Sequence, residues 1–371
     1  MSTKVAKGLL LSGYDAGSHR YWRKGLEHYL NEYEWTVLTL PARFFSWRIR
    51  GNPISFLERY SAELSVEYDF VIATSMVDLA TLKGIIPSLS RTPSLVYFHE
   101  NQFEYPKTIN QQASIEPQMV NLYSAMAADA IVFNSEFNRR SFFDGCDRLM
   151  AKLPDHVITN LSEQLSNKSL VIPVPVDEGL FNLPDRRDYN ATEPVKLLWN
   201  HRWEYDKGPD RLLLLLLELQ RRNVTFELNV VGEAFRNIPD EFKQIEHLFS
   251  GCINTFGYVD NVEEYRTLLA ACDVVISTAI HEFQGIAVLE AVSAGCLPLV
   301  PDRLSYQALI PGEYRYSSHL DTPELEASEA VDKLLQLTPS PNVNFREGYR
   351  QYSWSSLIPS YRNAITSLLL K

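Results

Sequence analysis

His281-Glu282-Phe283-Gln284-Gly285-Ile286-Ala287-Val288-Leu289-Glu290 follows a β-branched run at 274–276 and leads into an apolar, alanine-rich stretch at 286–294. Strand, short loop closed by glycine and buried helix make one βα unit. With Gly285 where the helix opens, the free N–H groups of its first turn and the positive end of its dipole face the loop. Such a terminus suits a diphosphate, and glycine permits close backbone approach. At about 1.5 Å per residue, Glu290 sits roughly 7 Å further along the axis. That rise is comparable to the span from a pyrophosphate to ribose hydroxyls. Glu290 is therefore placed to accept from a diol, and Glu282 to hold hydroxyls of a sugar. Taken alone, a glutamate pair at this spacing is more often a solvated loop charge and a surface helix residue met by chance.

The same alternation extends outward. Further strands are expected at 195–199, 226–231, 253–256 and 297–300, with helices near 208–222 and 261–271. The first half repeats the pattern, with apolar runs at 8–11, 36–40, 70–73, 94–98 and 130–133 and amphipathic segments at 21–29 and 120–128. Alternating β and α elements favour parallel sheets covered on both faces, with ligands held beyond the carboxyl ends of the strands. After 170–172, Pro173-Val174-Pro175-Val176-Asp177 and the Pro-, Asp- and Arg-rich stretch 184–194 read as an interdomain linker. A chain of 371 residues exceeds one ordinary core, so two domains are expected. Helical stretches at 323–337 and 354–370 close the chain.

Composition narrows the function classes. The N-terminal apolar run, Leu9-Leu10-Leu11, is too short for a signal peptide, and a cytoplasmic location is expected. The leucines at 212–217 are closed by Arg211 and Glu218, where a bilayer span needs about 20 residues. Cys146, Cys252, Cys272 and Cys296 lie far apart and signal neither a zinc site nor a disulfide framework. The net charge of −11 falls mainly on the second half, so nucleic-acid binding would need a local basic patch. One candidate is Pro41-Ala42-Arg43-Phe44-Phe45-Ser46-Trp47-Arg48-Ile49-Arg50, with three arginines, three aromatics and no acid. It suits phosphates and exposed bases, docking on anionic lipid, or an arginine-capped cover over the core.

Other loops carry chemistry. Trp199-Asn200-His201-Arg202-Trp203-Glu204-Tyr205-Asp206-Lys207-Gly208 follows a strand and precedes the leucine-rich helix. Arg202 and Lys207 above the strand end are placed to neutralise a departing nucleoside diphosphate without a metal; helix capping and salt bridges read them equally well. Gly232, ending the next strand, adds a weaker third loop. Ser12-Gly13-Tyr14-Asp15-Ala16-Gly17-Ser18-His19 lacks the G-x-G-x-x-G spacing, which removes the main support for a dehydrogenase. His99 and Glu100 follow the strand at 94–98; the bland reading of His99 is a satisfied polar residue.

Together, R-x-x-x-x-K-G at 202–208, the Glu282/Glu290 pair with Gly285 and a closing aromatic-rich helix resemble the retaining GT-B glycosyltransferases. The resemblance implies an α/β fold of two Rossmann-like domains with parallel sheets facing across a cleft. An acceptor domain would span 1–180, joined by a helix at about 354–371, and a nucleotide-sugar donor domain 190–350. It also implies that Arg202 and Lys207 bind the donor diphosphate, Glu290 the ribose, and Glu282 with Gly285 the sugar. Gly13, Gly232, Phe283, Gln284 and Ile286 would complete the donor site. His99 matches the family's N-domain histidine near the donor sugar, and is counted with Arg202, Lys207 and Glu282 as catalytic. No D-x-D is present, and neither metal nor cofactor is expected.

A narrower resemblance runs through the first half. Ser12-Gly13-Tyr14, the segment 41–51 with Trp47-Arg48, Phe98-His99-Glu100-Asn101-Gln102-Phe103-Glu104-Tyr105-Pro106 and Phe133-Asn134-Ser135 look like the tRNA-queuosine mannosyltransferases. That likeness implies transfer of mannose from GDP-mannose to the cyclopentene diol of queuosine in the anticodon of tRNA for aspartate, with retention of configuration. Arg43, Trp47, Arg48, Arg50, His99, Glu100, Asn101 and Gln102 would then meet the acceptor, without stable membrane association. Two rivals stand beside it: a mannosyltransferase acting on a membrane lipid or other small acceptor, and a non-catalytic glycosyltransferase-like RNA-binding protein. Pro-Val-Pro-Val-Asp at 173–177 departs from the broad family's usual Pro-Asn-Gly-Val-Asp and loosens the linker assignment. His281 before the first glutamate leaves the donor assignment intact.

Overall fold

Strands buried at every position, such as Phe70-Val-Ile-Ala-Thr74, must be covered on both faces, and parallel sheets flanked by helices achieve that. The computed structural model describes residues 5–105, 114–153, 155–184, 193–234, 237–337 and 345–371. Most of the expected linker at 184–194, and Pro106 of the quoted motif, lie outside them. The chain divides into one unit of Met1–Pro175 with Trp354–Lys371 and a second of Val176–Ser353.

In the first unit the strands are β1 (Lys7–Ser12), β2 (Glu34–Thr39), β3 (Phe70–Thr74), β4 (Ser94–Phe98), β5 (Ala130–Phe133) and β6 (Ser169–Val171). They pair in parallel in the order β2-β1-β3-β4-β5-β6. The second unit holds β7 (Val195–Asn200), β8 (Phe226–Val231), β9 (Ile253–Gly257), β10 (Val274–Ile276), β11 (Leu297–Pro301) and β12 (Arg315–Tyr316). Their order is β12-β11-β10-β7-β8-β9, again parallel. The expected strands are present within a residue or two. The two-residue β12 is too short to carry a periodic signal.

The helix Phe45–Leu64, which contains most of the basic aromatic stretch, runs through Pro53. Proline there leaves the Ile49 carbonyl without its usual N–H donor. The Asn52 side chain repairs the gap, donating to the carbonyls of Ile49 (3.3 Å) and Arg48 (3.0 Å) and also to Met76 O (3.0 Å). Phe44, just ahead of the helix, sits in the left-handed region at φ 56°. For a non-glycine residue that costs on the order of 1–3 kcal/mol.

The closing helix Trp354–Leu369 belongs to the first unit and docks through aromatics. Trp354 stacks on Tyr29 at 5.0 Å, while Trp22 Nε1 donates to Tyr361 OH (3.0 Å), which in turn donates to Pro173 O (2.9 Å). Gly25 makes room: a Cβ there would stand 1.8 Å from the Trp354 ring. Trp354 is 2 % exposed, so Trp354→Ala would remove a whole indole from the seam and cost about 3–5 kcal/mol. The expected result is a lowered urea midpoint for the first unit, followed by the Trp22 environment; an unchanged midpoint would show that the helix contributes little to holding it.

Candidate active site

Strands β7 and β10 are neighbours, so the loops leaving their carboxyl ends emerge side by side. Backbone hydrogen bonds lace them together: the amides of Ile280 (3.0 Å) and His281 (3.1 Å) both donate to Asp206 O, and Thr278 Oγ1 donates to Lys207 O (2.9 Å). Gly208 is required where they meet. Its φ is +68°, and a Cβ would fall 2.2 Å from Thr278 O.

Lys207 is enclosed between the loops, with only 8 % of its side chain exposed. Its Nζ lies 3.0 Å from Asp206 Oδ2 and 3.4 Å from Glu282 Oε2, and donates to His281 O at 2.9 Å. Three donors meet three acceptors. Burial works to lower the lysine pKa, but Glu282 and Asp206 outweigh it and the net shift is upward. Burial likewise opposes ionisation of Glu282, and the Lys207 charge with His201 and the amides of Gly285 and Gln284 reverses it, so its carboxylate stays ionised. Lys207 therefore does not project from the loop as a spare cation, as its sequence position suggested. Arg202 is the more open of the two: its side chain is 44 % exposed and pairs with Glu204 Oε2 at 3.1 Å. Nearby His201 is buried, and burial pulls its pKa down to about 4, leaving the ring neutral.

Gly285 caps the helix Ile286–Ser293 at φ +85°, with Tyr306 Cε1 only 2.8 Å from where a Cβ would stand. Phe283 and Gln284 are buried beneath the loop, and Ile286 is half-buried. Glu290, on the same helix, is half-buried rather than a surface charge. It accepts from Tyr265 OH at 3.0 Å, and Tyr265 OH accepts from Asn200 Nδ2 at 3.1 Å. Burial, opposed by the Tyr265 hydrogen bond and aided by the charge of Asp177, pushes the Glu290 pKa up to about 7. Gly232 ends β8 and donates to Gly257 O at 3.1 Å. One loop pair and one helix terminus thus bring Arg202, Lys207, Glu282, Gly285 and Glu290 to the same strand ends.

The first unit has its own polar cluster at the ends of β1, β3 and β4. His99 is 6 % exposed and stacks on His19 at 4.1 Å, with Trp22 and Tyr97 edge-on at 4.9 and 4.7 Å. His19 Nε2 lies 3.1 Å from Glu100 Oε2, while Glu100 Oε1 accepts from Ser75 Oγ at 2.8 Å. Burial, then the neighbouring His19, holds the His99 pKa well below the ordinary range, so that ring is neutral. Among the described residues, His99 Nε2 and His19 Nδ1 are buried without a hydrogen-bond partner. Sequence reading missed His19; its only signal was a position in the glycine-containing loop after β1. Gly13 lies on that loop, its amide 3.4 Å from Thr74 Oγ1.

Not every acceptor candidate faces outward. Asn101 is fully buried, its amide donating to Asn138 Oδ1 (2.9 Å) and Ser141 Oγ (2.9 Å), and Gln102 N donates to Asn121 Oδ1 (2.8 Å). Both hold the loop in place. Arg50 pairs with buried Asp78 at 2.8 Å, Arg48 is buried, and Arg43 and Trp47 are exposed.

Comparison with known proteins agrees with this geometry. Residues 7–176 match the family described as tRNA-queuosine alpha-mannosyltransferase N-terminal, and residues 184–351 match glycosyl transferases group 1. Among solved structures, sucrose-phosphate synthase from Thermosynechococcus elongatus superposes with a TM-score of 0.71 at 15% identity, covering 98% of this chain and 99% of that one. HepE from Anabaena, in complex with UDP and glucose, gives 0.67 at 14% identity, covering 98% and 100%. These likenesses establish the GT-B fold. The tRNA-queuosine alpha-mannosyltransferase of Drosophila melanogaster is 32% identical over 369 residues, 95% of this chain and 94% of that protein. This chain is a glycosyltransferase and belongs to the tRNA-queuosine alpha-mannosyltransferase family.

Proposed function

We propose that this enzyme transfers mannose from GDP-mannose to the cyclopentene diol of queuosine in tRNA for aspartate, with retention of configuration. The observation that carries the acceptor is the likeness to the Drosophila enzyme along nearly the whole of both chains. In this reading the reaction takes place in the cytoplasm and is written without a metal ion or cofactor. Among the described residues no helix is long and apolar enough to cross a membrane, which gives the lipid-acceptor alternative no anchor of that kind.

The donor site then works by exchange of partners. Lys207 has all three N–H groups committed, and its contact to Glu282 at 3.4 Å is the longest. A diphosphate arriving at the Gly285 helix terminus takes that third N–H, and Glu282 is released to accept from the sugar hydroxyls. Arg202 and the helix amides stabilise the charge that grows on the departing diphosphate. Glu290 holds the ribose diol. The acceptor hydroxyl attacks the face the diphosphate leaves, so no protein nucleophile is used, and the leaving diphosphate takes the acceptor proton. Neutral His99 offers its ring nitrogen to the sugar.

Incubation with GDP-mannose and queuosine-containing tRNA should add one hexose to queuosine alone, seen by nucleoside mass analysis. A hexose gained elsewhere, or none, would sink the reading. Arg202→Ala should lower turnover on the order of 100-fold. Because Arg202 is exposed, its melting temperature should barely change, and unchanged turnover would remove Arg202 from the mechanism.

Glu290 supplies a pH test. A folded pKa of about 7 against an unfolded value near 4.5 means the native state binds the extra proton. Its stability therefore falls as pH rises from about 4.5 to 7, by on the order of 2–3 kcal/mol from this group. Glu290→Gln lacks that penalty. Urea midpoints of the two proteins should converge near pH 4.5 and separate by pH 7.5, with the variant the more stable and its GDP affinity reduced. Parallel pH profiles would show that the carboxyl is not destabilised by folding.

A further inference from the structure

The cover over the edge of the first sheet holds a charge without a counter-ion. Arg48 lies in the first turn of the helix Phe45–Leu64 and is only 6 % exposed. Its Nε is buried with no hydrogen-bond partner, and no carboxylate pairs with its guanidinium among the described residues. Burial, then the charge of neighbouring Arg43, draws its pKa below the usual arginine value. An unpaired buried cation is costly. Arg50, two residues on, meets its need through Asp78, whereas Arg48 is buried without such a partner.

Arg48 lines a concavity of about 490 Å³ just beyond the carboxyl end of β2. Ser55 and Arg59 lie seven and eleven residues further along, on the same helical face, and Arg43 closes the other side. Glu58 is the one carboxylate among the lining residues, against three guanidinium groups. Beside the mouth stand two exposed rings: Phe44, 70 % exposed and held in its left-handed conformation, and Trp47, 52 % exposed. Trp47 packs over Gly51, where a Cβ would fall 2.4 Å from the indole. The guanidinium of Arg43 sits 5.4 Å from the centre of the Phe44 ring.

We propose that Arg48, with Arg43 and Arg59, seats one backbone phosphodiester of the tRNA, and that Phe44 and Trp47 stack on a base beside it. The inference rests on the tRNA acceptor proposed above. A largely buried arginine lining a concavity suits a single phosphate bound by paired N–H donors. Exposed aromatic rings alongside are the usual platform for unstacked bases. Attraction to an anionic membrane draws instead on clusters of about 4–8 exposed basic residues, and here the central cation is buried in a chain of net charge −11.

The test is binding of a queuosine-containing anticodon stem-loop, followed by fluorescence anisotropy across a salt series. Arg59→Ala and Arg43→Ala alter exposed side chains and leave the fold intact, as thermal melting would verify. Each should weaken binding by about tenfold and lower the slope of log K against log salt by about 1. Arg48→Ala should weaken it further; because Arg48 is buried, only a folded preparation of that variant is informative. Methylphosphonate substitution, linkage by linkage, should reveal one position whose neutralisation weakens wild-type binding and has no further effect in Arg59→Ala. Unchanged affinity and salt slope in Arg59→Ala and Arg43→Ala would overturn the phosphate seat. So would loss of binding to phosphatidylserine vesicles with RNA binding intact, which would assign the surface to lipid. Failure of the wild-type protein to bind the stem-loop at all would instead remove the acceptor reading on which the seat depends.

Discussion

The ion pair between Lys207 and Glu282 is the constraint around which the donor half is arranged. It joins two loops that are 75 residues apart in the chain and meet because β7 and β10 are adjacent. Burying two charges carries a desolvation cost that attraction offsets only when the remaining donors and acceptors are satisfied. Here they are, by Asp206, by His281 O and by the backbone around Gly285. An apolar contact of the same volume would hold the loops at least as firmly. Retention of charge in that position is therefore better explained by ligand chemistry than by stability. Removal of Lys207 leaves the Glu282 carboxylate buried without its lysine, whereas removal of Glu282 leaves Lys207 still paired with Asp206.

The same logic sets the two carboxylates apart. Glu282 faces a lysine and stays ionised, while burial, aided by the charge of Asp177, draws Glu290 towards neutrality against the hydrogen bond from Tyr265. An ionised acceptor suits hydroxyls at a centre where positive charge develops. A carboxyl poised near neutral pH can donate as well as accept, which suits a ribose diol whose hydroxyls do both. Identical side chains eight residues apart acquire different protonation tendencies from what surrounds them.

Much of the fold was legible because parallel sheets are buried on both faces and leave continuous apolar runs such as 70–73 and 95–98 in the sequence. The donor loops were legible for a related reason: glycine at 208 and 285 marks backbone that no other residue adopts cheaply. The enclosure of Lys207 was not, since it depends on a strand order that skips from β7 to β10. Nor was the pairing of His19 with His99 and Glu100, contributed by segments 80 residues apart. The helix through Pro53 ran against local preference, and only the side chain of Asn52 at the right turn makes it tenable. Arg48 showed in the sequence as one arginine of three. Its burial, and the pairing of Arg50 with Asp78, separate three residues that composition treats alike.

That separation bears on how an acidic protein can take a polyanion as substrate. Net charge governs encounter at distances where salt already screens it, within about 10 Å under ordinary ionic strength. Recognition at contact is decided by charges inside that range. In the second unit the cations near the strand ends are matched by carboxylates: Lys207 by Asp206 and Glu282, and Arg202 by Glu204. In the first unit Arg50 is matched by Asp78, but Arg48 pairs with no carboxylate among the described residues. A cation whose neighbours already satisfy it gains little from a phosphate, whereas one left without a carboxylate partner gains more on binding. The acceptor surface therefore need not be basic overall; it needs one position where the protein has withheld the counter-charge.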